Sequence, residues 1–124
     1  MTSLNVLIVD DSVLAVQVLK SALEDLGHRV VRSAGTGAAA LVAYKACNPD
    51  LVTMDITMPD MDGIVATGKI VEAFPDARIV MVTSHAQKGM VMDALKAGAK
   101  GYILKPIQKD KLRDVLAQVT GAPA

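Results

Sequence analysis

Three acids, two hydroxyls and an ammonium stand where apolar runs of the sequence stop. Asp10 and Asp11 follow LNVLIV, Asp55 follows LVTM, Thr83 and Ser84 follow RIVMV, and Lys105 follows GYIL. A carboxylate at the end of a buried run is costly unless it is paired or coordinated. Three acids brought together repel one another, so they either share protons or bind a hard cation. Oxygen ligands suit Mg²⁺, which keeps several waters and takes only one or two carboxylates. The sequence has no histidine or thiol cluster that would suit zinc. An oxygen nucleophile beside Mg²⁺, with a lysine opposite, is the equipment of phosphoryl transfer, where the protein mainly positions groups and neutralises charge. A carboxylate can also accept the phosphoryl group itself, as an aspartyl-phosphate.

That chemistry depends on whether the chain gathers these residues. Short β-rich runs at Leu4–Val9, His28–Ser33, Leu51–Met54, Arg78–Val82 and Gly101–Leu104 read as strands. Between and after them, Val13–Leu26, Gly35–Cys47, Ile64–Phe74, Ala86–Ala97 and Asp110–Val119 carry helical spacing, with Gly27, Asn48-Pro49-Asp50, Pro75-Asp76 and Gly98 as stops. Strict alternation of strand and helix predicts an α/β fold, a five-stranded parallel sheet flanked by five helices. In such a sheet all carboxyl ends lie on one edge, where open α/β sheets bind ligands. The acids, Thr83 and Lys105 are therefore expected in one crevice.

Length and composition set the remaining bounds. At 124 residues the chain is expected to be one domain, 1–124, and its 52% apolar content is enough for a core. The formal net charge is zero, which argues against a charge-driven nucleic-acid surface or a polybasic membrane tether. The single cysteine, Cys47, cannot form an internal disulfide. No signal peptide or long apolar span is present, so a cytoplasmic location is expected.

These four motifs, in order and each closing an expected strand, resemble a response-regulator receiver domain, of the stand-alone CheY-like kind, from about residue 4 to about residue 119. The resemblance implies a flavodoxin-like sheet of order 2-1-3-4-5. It implies that Asp55 accepts a phosphoryl group from a histidine kinase. Asp11, Asp55 and the backbone carbonyl of Thr57 would ligate Mg²⁺, with Asp10 reaching it through water. Lys105 would pair with the acceptor and then with a phosphoryl oxygen, and Lys105-Pro106 would be cis. Thr83 would bind another phosphoryl oxygen, and Tyr102 would turn inward as Thr83 moves. Thr57 and His85 would tune hydrolysis.

Each residue also has a plainer reading. Asp10 or Asp11 could cap a helix, Asp55 could form a turn, Thr83 could be a strand-end hydroxyl, Tyr102 a half-buried strand tyrosine, and His85 a loop histidine. Met54, Met58, Met61 and Met81 read as packing.

With no output domain after the fifth helix, output is expected to be protein binding rather than substrate turnover by an enzyme. Met90, Val91 and Met92 are consecutive, and one helical stripe cannot bury all three. Met90, Met92 and Tyr102 are the expected partner surface, facing a motor component in chemotaxis or a phosphotransfer protein in a phosphorelay. A flavin- or nucleotide-binding module would instead want a Gly-rich phosphate loop after strand one, where Asp10-Asp11 stand. An aspartyl phosphatase would want a second acid where Thr57 stands.

Overall fold

The computed structural model describes residues 3–84 and 87–121. Strands β1 (Asn5–Val9), β2 (Arg29–Ala34), β3 (Leu51–Met54), β4 (Ile79–Thr83) and β5 (Gly101–Leu104) alternate with helices α1 (Val13–Asp25), α2 (Gly37–Cys47), α3 (Gly63–Ala73), α4 (Lys88–Ala97) and α5 (Lys109–Thr120). The strands form one parallel sheet in the order β2-β1-β3-β4-β5. Chain order reverses at β1, which lies between β2 and β3, so the switch point falls between the tips of β1 and β3. A bulge in β2 at Val31 shifts its register against β1, between the pairs Val6–Val30 and Leu7–Arg32.

Both faces of the sheet are covered, and the strands divide their side chains between them with a period of two. Leu7 and Val9 of β1, Val52 and Met54 of β3, and Ile79 and Met81 of β4 pack under α2, α3 and α4. Val6, Ile8, Leu51, Val80, Val82 and Ile103 face the other way, toward Leu19 and Leu23 of α1 and Leu112 and Leu116 of α5. Thr53 shares this second face, and its buried hydroxyl has no hydrogen-bond partner.

Local chemistry sets the helix ends. Ser12, Thr36 and Asp62 cap α1, α2 and α3 by accepting the N–H of Ala15, Ala39 and Val65. Helices α4 and α5 start after Gln87 and Gln108, without a side-chain cap. Gly98 closes α4 in the left-handed region, with φ 116°, a conformation that glycine adopts without steric cost. Boundaries differ from expectation by one or two residues. Thr83 belongs to β4 rather than following it, Ala34 extends β2, and α4 starts at Lys88. The expected start at Ala86, like His85, lies outside the described residues.

Candidate phosphoryl-acceptor site

Backbone hydrogen bonds continue the sheet ladder past the strand ends and fix the tips beside one another. Asp10 N–H donates to Ala34 O, Asp55 N–H to Val9 O and Lys105 N–H to Thr83 O, each at 2.9 Å. The side chains therefore converge. One oxygen each of Asp10, Asp11 and Asp55 lies within 4.8 Å of the others. Asp10 and Asp55 are buried, at 7% and 8% exposure, and Thr83 is fully buried, whereas Asp11 is exposed at the rim.

Lys105 bridges two of the acids. Its Nζ donates to Asp10 Oδ2 at 2.8 Å and lies 3.7 Å from Asp55 Oδ2. The resemblance implied a pair with the acceptor alone, yet the shorter bond goes to Asp10. An ammonium between two buried carboxylates lowers the repulsion of both. Asp10 Oδ1 also accepts Ser12 N–H at 2.9 Å. Ser12 is thus the α1 cap, and Asp10 supports it from behind. The capping reading of Asp10 and Asp11 passes to Ser12, and both acids face the crevice as part of the cluster.

One ammonium does not neutralise the cluster. Burial, then the Asp10 charge, push the Asp55 carboxyl above its ordinary value of 3.8, against the opposing pull of Lys105, the Ile56 N–H and the Thr83 hydroxyl. Excess negative charge on all-oxygen donors, gathered at the switch point, fits a hard divalent cation and does not fit zinc. Thr57 lies two residues beyond Asp55, exposed in the loop that leads to α3.

Thr83 reaches the Asp55 carboxylate through its hydroxyl. Tyr102 is opposite Met81 in the β4–β5 register, two pairs before Thr83–Leu104 and so on the same face of the sheet. Its half-buried ring packs against the α2–α4 side of the core, and its hydroxyl is pushed up by burial and then by the Asp55 charge. The site can therefore be felt at Tyr102. The Lys105–Pro106 peptide is cis, as the resemblance implied.

Within the expected partner surface, Met90 and Met92 differ in exposure. Met90 is half-buried and packs against the core, because it follows the same stripe as Ala94. Met92 is 46% exposed, and Leu95 of α4 and Leu104 of β5 are comparably exposed.

Sequence reasoning also missed contacts around the acceptor loop. Gly63 lies so close to the Asp55 carbonyl that any side chain would overlap it, and its N–H donates to Ile56 O at 2.6 Å. Asp60 reaches back to the start of α2, accepting Gly37 N–H at 2.9 Å and Ala38 N–H at 3.0 Å. The Asp62-Gly63 pair carried a turn signal that hinted at the first contact. Nothing local pointed to the second, whose partners lie more than twenty residues upstream.

The sheet order, the acid cluster at its switch point and the lysine across it define a receiver. The sequence matches the response regulator receiver domain family over residues 6–117, and the chain belongs to that family. It is 46% identical over 111 residues to the chemotaxis protein CheY of Bacillus subtilis, covering 90% of this chain and 92% of that protein. It is 42% identical over 115 residues to CheY of Thermotoga maritima, covering 93% and 96%. Among solved structures it resembles a chain of the CheX–CheY–BeF3–Mg²⁺ complex from Borrelia burgdorferi. The TM-score is 0.88 and the identity 39%, over 93% of this chain and 87% of that one. Among the described residues, no helix is long and apolar enough to cross a membrane.

Proposed function

We propose that this chain is a single-domain, CheY-like response regulator. Asp55 accepts a phosphoryl group from a phosphohistidine of a histidine kinase, and the change alters affinity for a protein target. The observation that carries this reading is the cluster itself. Three carboxylates meet within 4.8 Å at the sheet's switch point, and Lys105 bridges the two buried ones.

Asp10, Asp11, Asp55 and the Thr57 carbonyl would hold Mg²⁺, with Asp10 the indirect contact. When bound, the ion supplies charge neutralisation for the transferring group. A carboxylate oxygen of Asp55 forms the new bond to phosphorus as the donor's imidazole nitrogen leaves. Lys105, already 3.7 Å from Asp55 Oδ2, turns its ammonium to a phosphoryl oxygen. The Thr83 hydroxyl moves from the carboxylate to a second phosphoryl oxygen. Tyr102 then fills the space beside Thr83, changing the face formed by α4, β5 and α5, where Met92, Leu95 and Leu104 are exposed. Thr57 and, on the family resemblance alone, His85 set how fast water removes the phosphate.

The relatives named for chemotaxis favour a motor or other chemotaxis component as target over a relay intermediate. The Borrelia complex supports Mg²⁺ as the ion. Asp10-Asp11 in place of a phosphate loop disfavours a nucleotide- or flavin-binding module. Intact-mass measurement with acetyl phosphate tests the reading. One phosphoryl group should add in Mg²⁺ and none in excess chelator. Addition that is independent of the metal would overturn it.

A further inference from the structure

We propose that Asp60 is a positioning residue for the phosphoryl site. By gripping the first turn of α2 it fixes the loop that follows Asp55, and with it the Thr57 carbonyl. The proposal rests on the receiver reading above and deepens it.

The loop is held at both ends. At its base, Gly63 is pressed against the Asp55 carbonyl and donates to Ile56 O at 2.6 Å, closing residues 56–63 into a compact turn. At its tip, the Asp60 carboxylate takes the Gly37 and Ala38 N–H groups, one on each oxygen, at 2.9 and 3.0 Å. Thr36 takes the next amide, Ala39, at 3.0 Å, so the first-turn donors of α2 are filled by two side chains from different parts of the chain. An apolar contact reinforces the grip. Met61 lies against Gly37 so closely that a Cβ there would collide with Met61 Cγ and Sδ. The post is rigid, because Ala40, Ala43 and Tyr44 of α2 are buried in the core. The Gly37 and Ala38 amides also hold the Asp60 carboxyl below its ordinary value of 3.8, so it stays ionised and accepts from both.

Thr57 lies between these two anchors. Mg²⁺ demands near-ideal octahedral geometry with ligands at about 2.0–2.1 Å, so a carbonyl displaced by a few tenths of an ångström is a poor ligand. Groups that orient metal ligands without touching the metal typically change affinity by about 10–100-fold when removed.

The competing explanation is that Asp60 only caps α2. Thr36 separates the two, since it caps the same helix turn through a hydroxyl that bonds within α2, to the Ala39 N–H, rather than to the loop. Mg²⁺ affinity would be measured by titration calorimetry on wild type, Asp60→Ala, Asp60→Asn and Thr36→Ala, with Tm for each. Asp60→Ala should weaken Mg²⁺ binding about tenfold or more, while Thr36→Ala stays within about twofold of wild type. Both should lower Tm. Asp60→Asn keeps one carbonyl acceptor and should fall between wild type and Asp60→Ala, and it carries the test if the alanine variant does not fold. Wild-type affinity in both Asp60 variants, or an equal loss in Thr36→Ala, would overturn the proposal. Failure of wild type to bind Mg²⁺ would instead overturn the receiver reading, and the proposal with it.

Discussion

At Asp55, burial and the Asp10 charge oppose ionisation, while Lys105, the Ile56 N–H and the Thr83 hydroxyl favour it and lose. The sign of the consequence follows from proton counting. Between 3.8 and the raised folded value, the native chain binds more protons than the unfolded one, so stability falls as pH rises through that window. Ionising the acceptor in the folded chain therefore carries a cost, which a cation and a phosphoryl group would relieve. Asp55→Asn, measured without Mg²⁺, should be more stable than wild type by about 1 kcal/mol, a few degrees in Tm. A lower Tm on thermal melting by circular dichroism would show that the Lys105 pair outweighs burial. Residues of this kind were legible in the sequence because each interrupts an apolar run. The preference of Lys105 for Asp10 was not, since it depends on side-chain reach across three adjacent strand tips.

The helices differ in how firmly they are specified. Helices α1 to α3 begin at Ser12, Thr36 and Asp62, each bonded to an amide of the first turn, and α4 begins at Gln87 with no such bond. Gly89 adds to the weakness of α4, and a Cβ there would meet nothing within 4 Å. Gly89→Ala should therefore stabilise α4 by about 0.5–1 kcal/mol. Slower amide exchange along Lys88–Ala97, with a matching rise in Tm, checks this. Among the strands, His28 closes the turn into β2 by accepting the Leu4 N–H on Nδ1 at 3.1 Å, which only the neutral ring can do. Burial lowers its pKa below 6.5. The stability it contributes is fully present above about pH 6.5 and is lost as pH falls through the lower, folded value. Denaturant midpoints across that range should show the slope, and His28→Gln, which keeps an acceptor but cannot titrate, should flatten it. The alternation of strands and helices was readable because hydrophobic period and stop signals agreed. The α4 start and the inward turn of Met90 were not, because three consecutive apolar residues leave the helix phase open.

Across the whole molecule, the fold turns separate segments into one charged edge. The parallel topology was readable from alternation alone, but the strand order came only from the family resemblance, since local pattern does not say where β1 inserts. The Asp60 clamp was illegible for a related reason. It is a bond between a loop and a helix start whose spacing along the chain carries no periodic signal. A cation bound by the folded acids and not by the unfolded chain must stabilise the whole fold. At about 100 times the dissociation constant, Mg²⁺ should add about 2.7 kcal/mol, reversed by chelator and lost in Asp11→Asn. Thermal melts in a Mg²⁺ series check it, and a Tm indifferent to Mg²⁺ would contradict the metal assignment.

The most direct test asks which atom receives phosphorus. The chain would be treated with acetyl phosphate in Mg²⁺, reduced with borohydride, digested, and sequenced by mass spectrometry. An acyl phosphate on Asp55 is reduced to an alcohol, so homoserine should be found at position 55 and at no other aspartate, and none should form without Mg²⁺. An unreduced Asp55 in a chain that has taken up phosphate elsewhere would contradict the account.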